Sequence, residues 1–213
     1  MKQAIQRLLN AEAEAIRNIP INESFGKALE LIHASVHINH GKLIASGMGK
    51  AGQIAINIAT TFSSTGTPAV FLHPSDAQHG DLGIIQKNDI LLLISNSGKT
   101  REIIELVELA RNLVQHIPII LITGNPENEL SHLADTIIYT GNPDEVCPLG
   151  LTPTTSTTSM TVIGDILVVM MMQKIGFSAE DYAKRHHGGY LGHKSRIFAG
   201  KHFNENKGFS GKP

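Results

Sequence analysis

The order of apolar patterns predicts an α/β fold: a doubly wound, five-stranded parallel sheet flanked by helices. Three observations carry that expectation. Short apolar runs recur five times, at "KLIAS" (42–46), "AVFLH" (69–73), "ILLLIS" (90–95), "PIILIT" (118–123) and "TIIYT" (136–140). Helix-length segments separate most of them, and parallel neighbours require such crossovers. The runs are apolar almost throughout, as strands buried on both faces are.

The elements follow in order. Before the first strand, residues 4–16 and 25–38 place apolar side chains at three and four spacing, which predicts two amphipathic helices. After the last strand, a long apolar helix over residues 155–174 and a shorter one over 179–185 close the domain. The segment "TVIGDILVVMMM" is interrupted by Gly164 and Asp165 and falls short of the ~20 apolar residues of a membrane span, so none is expected. Met170, Met171 and Met172 point in nearly every direction around their helix. A helix apolar all round must be covered all round, so this one is expected to pack a subunit interface as well as its own core. Asp165 within it reads as a structural hydrogen-bonding residue. The 213 residues suit one domain, 1–193, followed by a polar, Gly-rich tail, 194–213, that is expected to be partly disordered.

Charge narrows the partners. Eighteen Lys and Arg against nineteen Asp and Glu leave a formal net charge of −1. That excludes a broad nucleic-acid-binding face and permits a small basic pocket, so the expected ligand is small. A single cysteine, Cys147, cannot form an internal disulfide. The opening "MKQAIQRLLNAEAEAI", with Glu12 and Glu14 among its apolar positions, is not a basic-then-apolar leader, and a cytoplasmic protein is expected.

In open α/β sheets ligands bind beyond the carboxyl ends of the strands. The first strand-to-helix junction there, "SGMGKAG", satisfies G-x-G-x-x-G through Gly47, Gly49 and Gly52. The dinucleotide fingerprint also wants an acid about twenty residues on. The second strand ends instead in His73, Pro74 and Ser75, with Asp76 late, so the junction reads as a tight turn bearing Lys50. The second junction, "SNSGKT", offers Ser95, Asn96, Ser97 and Thr100 where a helix begins. Several hydroxyls in one turn exceed what a single helix cap needs, and together with the helix's unpaired N–H groups they predict a phosphate cradle. The third, "LTPTTSTTSM", repeats the device with Thr155 and Ser156 at its centre; it is either a second wall of the pocket or a hydroxyl-rich helix start. "HPSDAQHGDLG" and "RHHGG" hold His73, His79, His186 and His187 in loops, without the spacing of a dedicated metal site.

Taken in order, "GMGKAG", "STGTP", "HPSDAQHGDLG", "SNSGKTREI", "CPLGLTPTTSTTSM" and "AEDYAKRHHGGYLG" resemble the sugar isomerase (SIS) domain of arabinose 5-phosphate isomerases, over residues 43–192. The resemblance implies a flavodoxin-like five-stranded SIS fold, a homotetramer, and interconversion of ribulose 5-phosphate and arabinose 5-phosphate, which supplies Kdo for lipopolysaccharide or capsule synthesis. By the same resemblance the catalytic set is Lys50, Glu102, Glu145 and His186. His79 is a substrate contact, Gly66 and Thr67 line the pocket, and no cofactor is used. Zinc is expected to inhibit, with His73 among its ligands. Long members of the family carry a pair of CBS domains; none follows in this sequence, so regulation through them is not expected. Ala51, Lys99 and His187 depart from the family's usual "GMGKSG", "SNSGES" and "HPGG".

Such an isomerisation needs a base to move a proton between carbons 2 and 1 through an enediol, while an acid–base pair manages the oxygens. Glu145 is favoured as base, with Glu102 next, and Lys50 would neutralise phosphate or enediolate charge. Because a long helix separates His186 from the strand ends where Lys50 and Ser97 lie, His186 is expected to act in a neighbouring subunit's pocket. Two other classes remain open at this point. A regulatory SIS protein would bind a sugar phosphate without turnover, and a nucleotide-dependent oxidoreductase would need the missing acid.

Overall fold

The structure is a computed structural model that describes residues 1–188, 190–192 and 194–198. Five strands, β1 (Leu43–Gly47), β2 (Ala69–Phe71), β3 (Ile90–Ile94), β4 (Ile119–Thr123) and β5 (Thr136–Tyr139), form one sheet in the order β2-β1-β3-β4-β5. All pairs are parallel, with Leu43 opposite both Ala69 and Ile90, Leu91 opposite Ile119 and Ile120 opposite Thr136. This is the flavodoxin-like order, whose topological switch lies between β1 and β3.

Alternation along each strand separates two cores. Leu43, Ala45, Ile90, Leu92, Ile94, Ile120 and Ile122 face one layer, while Ile44, Leu91, Leu93, Ile119 and Leu121 face the other. The first layer is α2 (Glu23–Ile32), α3 (Gly49–Ser64) and α6 (Thr155–Lys174), with α1 (Lys2–Arg17) lying against α6. The second is α4 (Pro74–Ala77) and α5 (Arg101–Leu113). Burial on both faces explains why β1, β3 and β4 read as unbroken apolar runs; the edge strands β2 and β5 are only partly buried.

The second amphipathic pattern is not one helix to its end. Beyond α2, residues His33–Ile38 widen into a π-helix in which Asn39 N–H donates to Ala34 O at 2.9 Å. β2 stops at Phe71, two residues short of the sequence expectation. α6 is long and apolar enough to cross a membrane, contrary to the reading of its segment as too short, but half of that stretch is buried within the domain. Gly164 lets α6 close on α3: a Cβ there would overlap the Ile58 side chain. On the outer side Ile166, Val169 and Met170 are exposed, while Met171 is fully buried. Asp165 is exposed.

α7 (Ala179–Arg185) begins in a capping box between Ser178 and Asp181. Residues 190–192 and 194–198 are helical, so the tail expected from residue 194 starts with structure. The remainder of that tail lies outside the described residues.

Candidate active site

Three long helices begin at the carboxyl edge of the sheet, α3 after β1, α5 after β3 and α6 after β5, besides the single turn α4 after β2. Each N-terminus directs a positive dipole end toward the same space, and the starts of α3 and α5 have no side-chain cap, whereas the start of α6 gives N–H groups to Glu145. A cavity of about 450 Å³ lies there, and its lining includes Lys50, Ser95, Asn96, Ser97, Thr100 and Ser156. These six expected residues are thus brought together.

In the cradle, Ser95 Oγ and Thr100 Oγ1 share a hydrogen bond of 2.8 Å, and Ser95 Oγ accepts from Gly98 N–H at 3.2 Å. Ser97 Oγ accepts from Lys99 N–H at 3.2 Å. Thr100 is the N-cap of α5, yet no side chain caps that helix. The hydroxyls are therefore not taken up by capping, and the helix start keeps its donors for an anion. Gly98, at φ +66°, lies directly against the Asn128 side chain, where no Cβ would fit.

On the other wall, the start of α6 holds Glu145, which is bonded to the lining residue Ser156 but is not itself part of the lining. Its Oε2 accepts from Thr154 N–H at 2.6 Å and Thr154 Oγ1 at 2.8 Å, and its Oε1 accepts from Ser156 Oγ. Burial pushes this carboxyl up, but the hydrogen bonds from Ser156 and Thr154 together outweigh it and leave it below its ordinary value. The group is an anion at neutral pH. Of the roughly four lone-pair sites on a carboxylate, Oε1 keeps one open. Thr155 is buried one position behind the cavity wall, with Oγ1 accepting from Val146 N–H at 3.2 Å. Glu102 occupies the first turn of α5 and is not part of the lining.

Four expected residues are elsewhere in this chain. Gly66 and Thr67 sit in the turn from α3 into β2, at the amino edge, so within one chain they do not line the cavity. A five-residue strand spans ~17 Å, which sets the separation. There Thr67 Oγ1 pairs with His37 Nε2 at 3.1 Å, and a Cβ on Gly66 would meet Phe177 Cδ2 at 2.7 Å. His186 belongs to the same end. The twenty residues of α6 carry the chain ~30 Å from the cavity. Phe177 then packs edge-on to Tyr182, and His186 stacks on Tyr182 with ring centroids 3.7 Å apart. His79 is exposed beyond α4, away from the lining.

His73 caps α4 and borders a separate cavity; its Nδ1 is 3.8 Å from Asp76 Oδ2 and has no hydrogen-bond partner among the described residues. No group of three His, Cys, Asp or Glu side chains among the described residues could hold a metal, so the expected zinc site is not assembled by this chain alone. Another cavity of about 310 Å³, lined by Met172, Phe177, Tyr182 and Leu191, is apolar and offers no carboxylate.

Sequence reasoning missed Asn125, Asn142, Thr157 and Met160 in the cavity wall. Asn125 follows β4 and Asn142 follows β5, so the carboxyl-end rule applied to those two junctions would have found them.

A profile of the SIS domain matches residues 38–170, more than half of the chain. The chain belongs to the SIS family. Among curated SIS relatives, arabinose 5-phosphate isomerase KdsD of Yersinia pestis is 46% identical over 195 residues, covering 91% of this chain and 58% of the relative. The Escherichia coli (strain K12) protein of the same name is 43% identical over the same shares. The chain therefore spans somewhat over half the length of these relatives. Among solved structures, a Bacteroides fragilis protein, named as a phosphosugar isomerase involved in capsule formation, superposes with TM-score 0.88 at 63% identity, covering 89% of this chain and 99% of that one. An Escherichia coli protein in complex with arabinose 5-phosphate superposes at TM-score 0.79 and 31% identity, covering 85% and 95%.

Proposed function

We propose that this SIS protein is an aldose–ketose isomerase that interconverts ribulose 5-phosphate and arabinose 5-phosphate through an enediol, as a step toward Kdo for lipopolysaccharide or capsule. The observation that carries the reading is an uncapped helix start lined with hydroxyls, facing a cavity wall whose Ser156 hydroxyl is hydrogen-bonded to the ionised carboxylate of Glu145 just behind it. The phosphate end of the sugar is held by Ser95, Asn96, Ser97, Thr100 and the first N–H groups of α5, with Lys50 balancing its charge. The sugar then extends toward α6. Glu145 takes the proton from carbon 2 of the aldose, the electron pair forms the enediol, and the proton returns to carbon 1 of the ketose. The hydroxyl proton on the carbon 2 oxygen has to leave and the carbon 1 oxygen has to gain one; Glu102 and His186 are the groups assigned to that exchange. The substrate needs no metal or other cofactor for these steps.

Because Gly66, Thr67 and His186 lie at the opposite end of the sheet, the complete site requires a second copy. A homotetramer with sites shared between subunits fits this, and the exposed apolar side of α6 gives the copies a reason to associate. Residues 1–193 act as one unit in this reading, in the cytoplasm where sugar phosphates are retained. The similarity to relatives with this named activity supports the assignment.

The test is conversion of ribulose 5-phosphate in deuterated solvent. Wild-type protein is expected to yield arabinose 5-phosphate with deuterium at carbon 2. Glu145→Gln should lose that exchange while still binding substrate. Tight binding of the sugar phosphate by the wild type without turnover would identify a regulatory binding protein instead.

A further inference from the structure

Helix α1 carries two glutamates that face opposite ways. Glu14 is exposed, whereas Glu12 is half-buried on the stripe that takes Ala15 toward the core. Its carboxylate reaches α6, 143 positions along the chain, where Thr155 Oγ1 donates to Glu12 Oε1 at 3.2 Å. The same Thr155 Oγ1 accepts Val146 N–H, also at 3.2 Å. Thr154 and Ser156 on either side are both bonded to Glu145. Three successive residues at the start of α6 thus hold two carboxylates, Thr154 and Ser156 taking one and Thr155 the other.

The second oxygen of Glu12 is closed off from solvent and has no hydrogen-bond partner among the described residues. A half-satisfied carboxylate at an inward helix position lowers stability, where an alanine or leucine would raise it. Helix packing therefore does not account for Glu12. What it holds does. Residues 140–153 contain no helix or strand, so the direction of Glu145 depends on a few tethers. One ties Val146 N–H to Thr155, whose hydroxyl is itself fixed by a side chain from another helix.

We propose that Glu12 is a positioning residue of the isomerase site: through Thr155 it fixes the Val146 backbone and so sets where the Glu145 carboxylate points. This rests on Glu145 acting as the base. Without Glu12 the Thr155 hydroxyl is free to turn, and the Val146 tether loosens with it. Proton abstraction is sensitive to such shifts, a misplacement of ~1 Å being enough for ~100-fold in rate. The phosphate cradle belongs to β3 and α5 and is not touched by the change.

The experiment uses the full chain and four variants, Glu12→Ala, Glu12→Gln, Thr155→Val and the Glu12→Ala/Thr155→Val double. Glu12→Ala is expected to lower kcat by about 10- to 100-fold with KM little changed. Glu12→Gln keeps an oxygen for the Thr155 hydroxyl and should restore most of the rate. The double variant should fall no further than Thr155→Val alone, because one pathway has been cut twice. Cys147 supplies a readout independent of activity. It is the sole cysteine, it lies two residues beyond Glu145, and its Sγ accepts from Leu151 and Thr152 N–H at 3.2 and 3.1 Å. Its reaction with an aromatic disulfide reagent should quicken in Glu12→Ala and Thr155→Val and remain near wild type in Glu12→Gln. A folded Glu12→Ala protein with wild-type kcat and wild-type thiol reactivity overturns the proposal, whether or not its melting temperature has changed. Should Glu12→Ala fail to fold, Thr155→Val against Thr155→Ser applies the same test. If wild-type protein turns over no ribulose 5-phosphate while Cys147 still responds to Glu12→Ala, the isomerase reading falls and the tether stands.

Discussion

At the carboxyl ends of β1 and β3 the following helices start without a side-chain cap beside an open cavity; at the amino ends the chain uses its donors. There Lys42 Nζ meets Asp89 Oδ2 at 2.6 Å, and the buried Asp89 carboxylate also accepts the N–H groups of Lys42 and Gln86 at 2.9 and 2.7 Å. Thr67 is closed by His37, and His186 is stacked on Tyr182. One end is finished within the chain and the other is not. The residues expected in one site are divided between them, Lys50, Ser97 and Glu145 at the open end, Gly66, Thr67 and His186 at the closed one. Such a division accords with the proposal that the closed end of one copy completes the open end of another.

The strongest way to break this comparison is complementation. Lys50→Ala and His186→Ala proteins, each inactive alone, are unfolded together and reassembled. Mixed oligomers should regain activity that neither parent has, since some pockets then join an intact Lys50 to an intact His186. Mixed oligomers that form and stay inactive would return His186 to its own chain or remove it from catalysis.

Next in size is Asp89→Ala. It leaves Lys42 and two backbone donors without their acceptor, which should cost about 3 kcal/mol of stability, the low end for a broken buried pair because Lys42 keeps contact with water. Urea denaturation measures the loss, and substrate affinity of the folded fraction should be unchanged. An effect on KM without one on stability would reverse the roles assigned to the two ends. Ser97→Ala and Thr100→Val should do the opposite. Each removes a charge-assisted hydrogen bond worth about 1.5–3 kcal/mol, so KM rises by roughly 10- to 100-fold while the urea midpoint stays. Unchanged Michaelis constants in both would dismantle the cradle.

The smallest effect is a pH dependence at the closed end. Burial holds His37 below its ordinary value of 6.5, and the neighbouring His33 charge adds to this. The folded state thus binds the proton less readily than the unfolded chain. Stability from this group is complete above about pH 6.5 and declines as the pH falls below it, toward the lowered folded value. In His37→Gln that part of the acid-side slope should vanish from melting curves taken between pH 7 and pH 5.

How much of this was legible follows from what each residue's neighbours in sequence reveal. The three central strands were readable because both faces are buried, so that Ile90 to Ile94 carries no polar interruption. β2 was read too long because Leu72 is buried and still donates its N–H to Ala45 O of β1 at 3.0 Å, so the apolar run continues one residue past the end of the strand. Ser95, Ser97 and Thr100 stood out because hydroxyls cluster in a single turn. Asn125 and Asn142 did not, since a lone asparagine after a strand reads as ordinary turn chemistry. Glu12 reads as a polar residue on an amphipathic helix, and its partner lies 143 positions away. The division of the site was visible in part: the length of α6 separated His186 from Lys50, and the predicted strands also separated Thr67 from Ser97, although the family resemblance assigns both to one pocket. One precedes a strand and the other follows one, so the carboxyl-end rule puts them at opposite edges of the sheet.

The uncapped start of α5 ties occupancy to folding. An anion seated there supplies to the helix what a serine or aspartate cap supplies in other proteins, so each bound sugar phosphate also completes a piece of secondary structure. The bound state is then the better-folded one, and the melting temperature rises with the logarithm of ligand concentration once that concentration exceeds the dissociation constant. With the proposed sugar phosphate as ligand, a cell rich in it would protect the chain from unfolding and from proteases, and the chain would become easier to clear once the ligand ran out. The quantity of this protein would in that way follow the quantity of the sugar it handles, with no regulator other than the open end of one helix.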